Sequence, residues 1–361
     1  MKVLQIINSL EVGGAEILLI EFTPLLRRND VEIDILSLKE VKPEIVLYMK
    51  QKGVHVMSLK VKNIYHPIII FHLLGYISDY DLIHVHLFPA QYWVAFTKLL
   101  KGSKKKFVTT EHNTTNRRRS IFFFRYVDRL VYALYDQIIC ISEKATDELV
   151  TYLASDNRVI TVYNGIDIVK FEESSAVERT ELKGVTADSV IITMVAGFRK
   201  QKDQDTLIKA MLLLPDTFHL VLVGNGERLE KCENLAEHLK IKERVHFLGI
   251  RNDIPQILKM SDIIVLSSYF EGLSLSSIEG MASGRPFVAS DVDGLREVVH
   301  GAGLLFQRGN ERELADILLR LSVDQSFAIS VGNKCHSRAK EYDIKVMVNK
   351  YLSVYRGLCD K

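Results

Sequence analysis

Long apolar runs are missing from this chain. None of eighteen or more residues occurs among its 361, so no segment is expected to span a membrane. The strongest apolar stretch, Ile121 to Ala133, is broken by Arg125, Asp128 and Arg129. Cysteine pairs are missing too. Cys140, Cys232, Cys335 and Cys359 lie far apart with no CxxC. That excludes zinc-type spacing and a disulfide framework, and points to a reducing, cytoplasmic setting. The start, MKVLQIINSL, is too short and too polar for a signal peptide and reads as a first strand. Net charge is only +2, so the overall field selects no partner. No repeat of 20–50 residues, no low-complexity segment, and no G-x-S-x-G, HExxH or P-loop motif is found.

What is present is alternation. The length suggests two domains. Short apolar strands are expected at Val3–Ile7, Ile33–Ser37, Val54–Ser58, Leu82–His86, Phe107–Thr110, Gln137–Ile141 and Val159–Val162. A second series follows at Val190–Val195, Leu220–Val223, Val245–Leu248, Ile263–Leu266 and Phe287–Ala289. Amphipathic helical patterns lie between them, with Ser142 as an N-cap and Asn310 with Glu313 as a capping pair. Such alternation predicts an α/β protein of two doubly wound, parallel-sheet, Rossmann-like domains. The boundaries expected are 1–167 and 168–341, with a final helix, about 342–361, packing back on the first domain. A ligand is then expected in a cleft lined by strand C-termini.

The segment Glu271–Gly294, EGLSLSSIEGMASGRPFVASDVDG, carries the most chemical information. Gly272, Leu273 and Ser274 form a small-residue turn opening a helix, whose N-terminal amides and dipole suit a diphosphate. Glu279, inside that helix, can accept from a ribose diol. Glu271, at the lip, has no such duty and falls where the group on the distal phosphate would lie. Asp291-Val292-Asp293 superficially matches a metal-binding acid pair. His84 and His86 alternate on one strand and share a face, but two nitrogens with no identifiable third ligand make no metal site. Gly224-Asn225-Gly226 has Leu229 where a dinucleotide fingerprint needs its third glycine.

Taken in order, these residues resemble a known family nearly end to end. The series is Gly13-Gly14-Ala15-Glu16, Thr110-Glu111-His112-Asn113, Ile141-Ser142-Glu143-Lys144, Val162-Tyr163-Asn164-Gly165-Ile166-Asp167, Lys202-Asp203, Val223-Gly224-Asn225-Gly226-Glu227, Phe247-Leu248-Gly249, Asp262, the pair Glu271 and Glu279, and Gly294-Leu295-Arg296-Glu297. The chain resembles the family-4 retaining glycosyltransferases of GT-B fold. That resemblance implies a nucleotide diphosphate sugar donor, UDP-linked by expectation, and a glycan or lipid-linked acceptor. It implies a metal-free site without cofactor, and a role in surface polysaccharide assembly. It gives Glu271, His112 and Lys202 to catalysis, and Gly14, Gly197, Arg199, Lys202, Gly249, Glu271, Gly272, Leu273, Ser274, Leu275 and Glu279 to the donor. Glu271 positions the sugar and stabilises an oxocarbenium-like state. Lys202 neutralises the leaving diphosphate. His112 touches the donor sugar by imidazole or backbone, with no general-base role.

The chain departs from the family at Gly197, where an arginine is usual five positions before the lysine. Either Arg199 reaches the same phosphates or a backbone amide at Gly197 substitutes. Two other readings remain open: a nucleotide-sugar epimerase on the same fold, and a catalytically silent nucleotide-sugar-binding subunit.

From Lys98 to Arg129 there are ten Lys/Arg against Glu111 and Asp128. Lys104, Lys105, Lys106, Arg117, Arg118 and Arg119, with aromatics from Phe122 to Tyr126, suggest an acceptor patch or docking on an anionic membrane, rather than nucleic acid. The expected location is the cytoplasm or the inner membrane face. Oligomeric state is not legible.

Overall fold

The computed structural model describes residues 1–11, 13–112, 122–154 and 157–360. Arg117, Arg118 and Arg119 lie outside the described residues. The chain divides into two compact units, Met1–Gly165 with Ile344–Lys361, and Ile166–Asp343.

The first unit is built on seven parallel strands: β1 (Lys2–Ile7), β2 (Glu32–Ser37), β3 (His55–Ser58), β4 (Leu82–His86), β5 (Lys106–Glu111), β6 (Gln137–Cys140) and β7 (Val159–Thr161). Their order is β3-β2-β1-β4-β5-β6-β7. Side chains alternate across a strand, and both faces are covered. Val3 and Ile7 pack with Leu18, Phe22 and Tyr351 on one face. Leu4 and Ile6 pack with Leu73, Val94 and Tyr132 on the other. Double burial explains why these strands read as apolar runs. The final helix, Ile344–Cys359, lies on the first of these faces, beside the helix Gly14–Arg27.

The second unit has six parallel strands: β8 (Val190–Val195), β9 (Phe218–Val223), β10 (Val245–Phe247), β11 (Ile263–Leu266), β12 (Phe287–Ser290) and β13 (Leu304–Phe306). Their order is β10-β9-β8-β11-β12-β13. Among its elements, β13, the helix Gln325–Ala339 and the short helices Ile168–Glu172 and Arg296–Val299 have no counterpart in the sequence reading. β13 is three residues set between Gly303 and the polar run from Gln307 to Asn310, where turn-type residues dominate the local pattern. The helix Gln325–Ala339 has a weak apolar stripe interrupted by Gly332. Gly332 is there for packing: a Cβ on it would stand 2.3 Å from the Gly284 carbonyl oxygen.

Local signals were reliable where a side chain closes on its own helix. Ser142 accepts from the Ala145 amide at 3.2 Å, and Asn310 from the Glu313 amide at 3.2 Å. Glu313 does not reach the Asn310 amide as a capping box would have it; its carboxylate takes the Gln307 amide at 2.8 Å. In each sheet the strand order reverses direction once, between β1 and β4 and between β8 and β11. Loops leaving the C-terminal ends of such a pair diverge and leave room for a ligand. No helix among the described residues is long and apolar enough to cross a membrane.

Candidate active site

In the second unit the two strands at the reversal supply the charged pair. After β8 the chain turns through Gly197 and Arg199 into a short 3-10 turn, Lys200–Lys202. After β11 it runs through Ser267, Ser268 and Tyr269 to Glu271. Lys202 Nζ stands 2.5 Å from Glu271 Oε1, and the Ser268 hydroxyl donates to the same oxygen at 2.6 Å. The two side chains are only 18% and 7% exposed. Desolvated charges need such partners. Glu271 thus has Lys202 and Ser268 as partners, which its place at the lip of the helix did not reveal from sequence.

Backbone ties hold the two loops in register. The Tyr269 amide donates to the Gln201 carbonyl at 2.7 Å, and the Gln201 side chain returns to the Phe270 carbonyl at 2.8 Å. Ser267 Oγ donates to the Asp203 carbonyl at 2.8 Å. Asp203 is itself an anchor, buried and accepting from Thr206 Oγ1 at 2.6 Å. Burial pushes its carboxyl up, against hydrogen bonds from Thr206 and Tyr269.

Glu271 leads directly into the helix Leu275–Ala282. Ser274 holds the N-cap position with extended backbone, and its hydroxyl caps no first-turn amide. Amides at such a start have no acceptor within the helix and point along the positive dipole end. The turn before it is shaped from across the loop by Gly294. Gly294 has φ +80°, and a Cβ on it would stand 2.0 Å from the Gly272 carbonyl oxygen. Glu279, one turn into the helix, is partly exposed.

Other expected donor residues fall nearby or elsewhere. Arg199 is exposed, and its Nε lies 4.0 Å from where a Cβ on Gly197 would be. The arginine therefore runs beside the glycine at ordinary contact distance. Gly249 follows β10, two strands from β8, where its carbonyl receives the Gly224 amide at 2.8 Å. Gly224 has φ +139°, and a Cβ on it would stand 2.2 Å from the Ala196 carbonyl oxygen. That glycine serves close backbone packing. Asp291 and Asp293 both face Arg296, at 2.5 and 3.8 Å.

In the first unit the reversal between β1 and β4 is marked by a buried polar network. Gln5, His84, His86 and Thr110 are all 1% exposed or less. They share the face that carries the final helix. Tyr355 from that helix meets Gln5 Nε2 at 3.0 Å and His84 Nδ1 at 2.6 Å. His84 Nε2 meets Thr110 Oγ1 at 2.7 Å. His86 bonds Gln5 Oε1 through Nε2 and His112 Nε2 through Nδ1, the latter at 3.0 Å. His112 is thus the third histidine that the sequence did not connect to the pair, and its link to His86 is a hydrogen bond. No group of three or more metal-ligating side chains occurs among the described residues. Burial pushes His84 and His86 well below the usual imidazole range and His112 down to about 4. All three are neutral at physiological pH.

His112 follows β5 and is partly exposed at its C-terminal end. Gly14 begins the helix Gly14–Arg27, and a side chain there would meet open space. Lys104, Lys105 and Lys106 sit at the opposite end of β5 from His112. Six residues of strand, roughly 20 Å, separate the two, so those lysines and His112 do not form one patch. Sequence reasoning missed His86 as the partner of His112, and Gln5 and Tyr355 as members of the network behind it. Only the shared face of His84 and His86 signalled them.

Family models match both units: Glycosyltransferase Family 4 over residues 12–170 and Glycosyl transferases group 1 over residues 180–342. The chain is 27% identical over 285 residues to N-acetyl-alpha-D-glucosaminyl L-malate synthase of Bacillus anthracis, covering 77% of this chain and 75% of that protein. It is 29% identical over 233 residues to UDP-Gal:alpha-D-GlcNAc-diphosphoundecaprenol alpha-1,3-galactosyltransferase of Escherichia coli, covering 61% of this chain and 57% of that protein. The chain therefore matches little more than half the length of that second relative. The fold is that of Anabaena HepE solved with UDP, with TM-score 0.83 and 21% identity over 99% of this chain and 100% of that one. Two parallel-sheet units and these matches define a glycosyltransferase of GT-B fold. The chain belongs to the family-4 type of that class, with the group 1 model on its second unit.

Proposed function

We propose that the protein transfers a hexose-type sugar from a UDP-linked donor to a lipid-linked or glycan acceptor, with retention at the anomeric carbon and without metal. The observation that carries this reading is the Lys202–Glu271 pair beside a helix start whose N-cap side chain leaves the first-turn amides uncapped. First-turn amides of Leu275 and Ser276 take the diphosphate. Lys202 takes the charge that grows on the leaving phosphate, and Arg199 adds a second cation. Glu279 accepts from the ribose diol. Glu271 stabilises the oxocarbenium-like sugar without bonding to it. The acceptor hydroxyl attacks from the face the phosphate leaves. The C1–O bond to phosphate breaks, the new glycosidic bond forms, and the hydroxyl proton passes to the departing phosphate oxygen. Gly14 and His112 serve hydroxyls at the strand ends of the first unit.

The Escherichia coli relative is named for a UDP-linked donor and an undecaprenol-linked acceptor, and HepE has also been solved with UDP-glucose. The first supports the donor and acceptor classes, and the second the donor class alone. Docking at the inner face of an anionic membrane fits Leu99, Leu100, Tyr126 and Leu130, which stand exposed on two neighbouring helices of the first unit.

The test is a donor screen that scores nucleotide release with and without lipid extract. Release from a UDP-sugar that rises with extract and survives EDTA is expected. Conversion of the sugar without acceptor would favour an epimerase, and EDTA-sensitive turnover would overturn the metal-free reading. Co-sedimentation with anionic vesicles that is lost at high salt checks membrane docking.

A further inference from the structure

We infer that Phe88 and Tyr65 form an aromatic platform that takes the face of a pyranose ring in the glycan acceptor. Both sit at the C-terminal edge of the first sheet, Phe88 two residues past β4 and Tyr65 in the connection leaving β3. Their ring centroids are 6.1 Å apart, and the residues are 38% and 60% exposed. A large apolar side chain standing singly on a surface needs no explanation, but this pair is supported from behind. The Tyr92 ring meets Phe88 edge-on at 5.1 Å, and Phe96 follows Tyr92 at 6.3 Å. The Tyr92 hydroxyl donates to buried Asp128.

The two loops are fixed as well. Trp93 Nε1 donates to the Ile64 carbonyl at 2.7 Å, and the Tyr65 amide to Asn63 Oδ1 at 2.9 Å. Asn8, just past β1, donates through Nδ2 to the Phe88 carbonyl at 2.8 Å and accepts the Ala90 amide at 3.1 Å. Leu87, between β4 and that clamp, has φ +67°. Bulky side chains avoid this region, and such strain persists only where the surroundings impose it, typically at ligand sites. Chemistry names the ligand class. An aromatic face is electron-rich and stacks on the weakly positive C–H face of a pyranose, whose hydroxyls turn outward to polar groups. Polar groups border the pair. His66 follows Tyr65. On the other side the Lys39 amide donates to the Asn8 carbonyl at 2.9 Å, and the Lys39 ammonium stands 3.7 Å from Glu11. A hydrocarbon tail laid there would desolvate those groups without giving them partners. Phe88 is at most about 7 Å of chain from His86, the last residue of β4, so the platform adjoins the strand ends given to hydroxyls above. Its role as an acceptor site rests on that reading.

The experiment is saturation-transfer NMR on the full chain with the methyl glycosides of glucose, galactose and N-acetylglucosamine, irradiating the protein's aromatic protons. Expected is transfer to the ring C–H protons of at least one glycoside, persisting when UDP-glucose is saturating. Phe88→Leu and Tyr65→Leu keep apolar bulk and remove the ring face, and each should weaken that glycoside about three- to tenfold. Tyr65→Phe should retain it. Emission from Trp93, the chain's single tryptophan, reports whether the Ile64 loop stays in place. Where Phe88→Leu disturbs that emission, Tyr65→Leu, at the more exposed ring, decides. Transfer to none of the glycosides, or transfer that ignores both leucine variants, overturns the platform. Displacement by UDP-glucose would put the sugar at the donor site and overturn the acceptor role. A polyprenyl phosphate in detergent whose binding survives the leucine variants and is lost in Phe88→Ala would give the rings to a lipid tail instead. None of these readouts needs turnover. Glycoside binding that meets every expectation, with no nucleotide release from any UDP-sugar, would count against the transfer reading and leave the platform standing.

Discussion

The two units share a parallel-sheet plan and meet polar chemistry at their strand ends in opposite ways. The first buries neutral groups. Gln5, His84, His86 and Thr110 sit inside the sheet's face, each satisfied by another side chain. The second uses charge: Lys202 against Glu271, beside an amide-rich helix start. A neutral network tolerates full burial because each donor has an acceptor. A charged pair must stay near the surface, where a ligand can replace one partner, because full desolvation of an ion pair is costly. In the function proposed above, the neutral end orients hydroxyls and the charged end holds a developing phosphate charge.

Experiments can break or sharpen that contrast. The largest effect is expected from Lys202→Ala. It strips Glu271 of its counter-charge and removes the cation assigned to the leaving group. A fall in kcat/KM of about a hundred- to a thousandfold, on the order of 3–4 kcal/mol, is expected in a UDP-release assay. A change under tenfold would mean that the pair is structural only.

Acid should act mainly on the first unit. A histidine that burial holds neutral takes up its proton more readily in the unfolded chain, so falling pH favours unfolding. The stability is fully present above about pH 6.5 and is lost towards pH 4. For His112, lowered from 6.5 to about 4, the loss is about 3 kcal/mol at 1.36 kcal/mol per unit. Burial lowers His84 and His86 too, so they add to it in the same direction. In the second unit burial also lowers His219 and His246, so the sign there is the same. Hydrogen exchange followed by peptide should show β1, β4 and β5 losing protection before β8 and β11. The reverse order would break the contrast.

Glu279→Ala should weaken UDP binding about ten- to a hundredfold, since a charge-assisted hydrogen bond contributes roughly 1.5–3 kcal/mol; calorimetry measures it directly. The smallest effect is expected from Arg199→Ala, a loss of about tenfold in kcat/KM, or 1.4 kcal/mol. A smaller loss would give the role to the Gly197 backbone.

Much of this was legible beforehand. Twelve of the thirteen strands among the described residues answer to largely apolar runs, because a strand covered on both faces buries most of its side chains among apolar ones. Lys202, Glu271 and Glu279 were named from motif order, since a phosphate needs cations and amides and a ribose needs an acid. Their arrangement was not legible. That Glu271 binds Lys202 and Ser268 depends on two loops 69 residues apart being tied together. Asp203, taken from sequence only as part of a motif, is a buried anchor for those loops.

The sequence by itself determined the alternation of strands and helices, the return of a final helix, and the residue types available for phosphate and sugar. Those are properties of spacing and chemistry, readable one segment at a time. Only the tertiary structure decided which of those residues meet. Gln5 and Tyr355 stand 350 positions apart and share a hydrogen bond, because two faces of one sheet must each find a cover and the last helix is the cover for one of them.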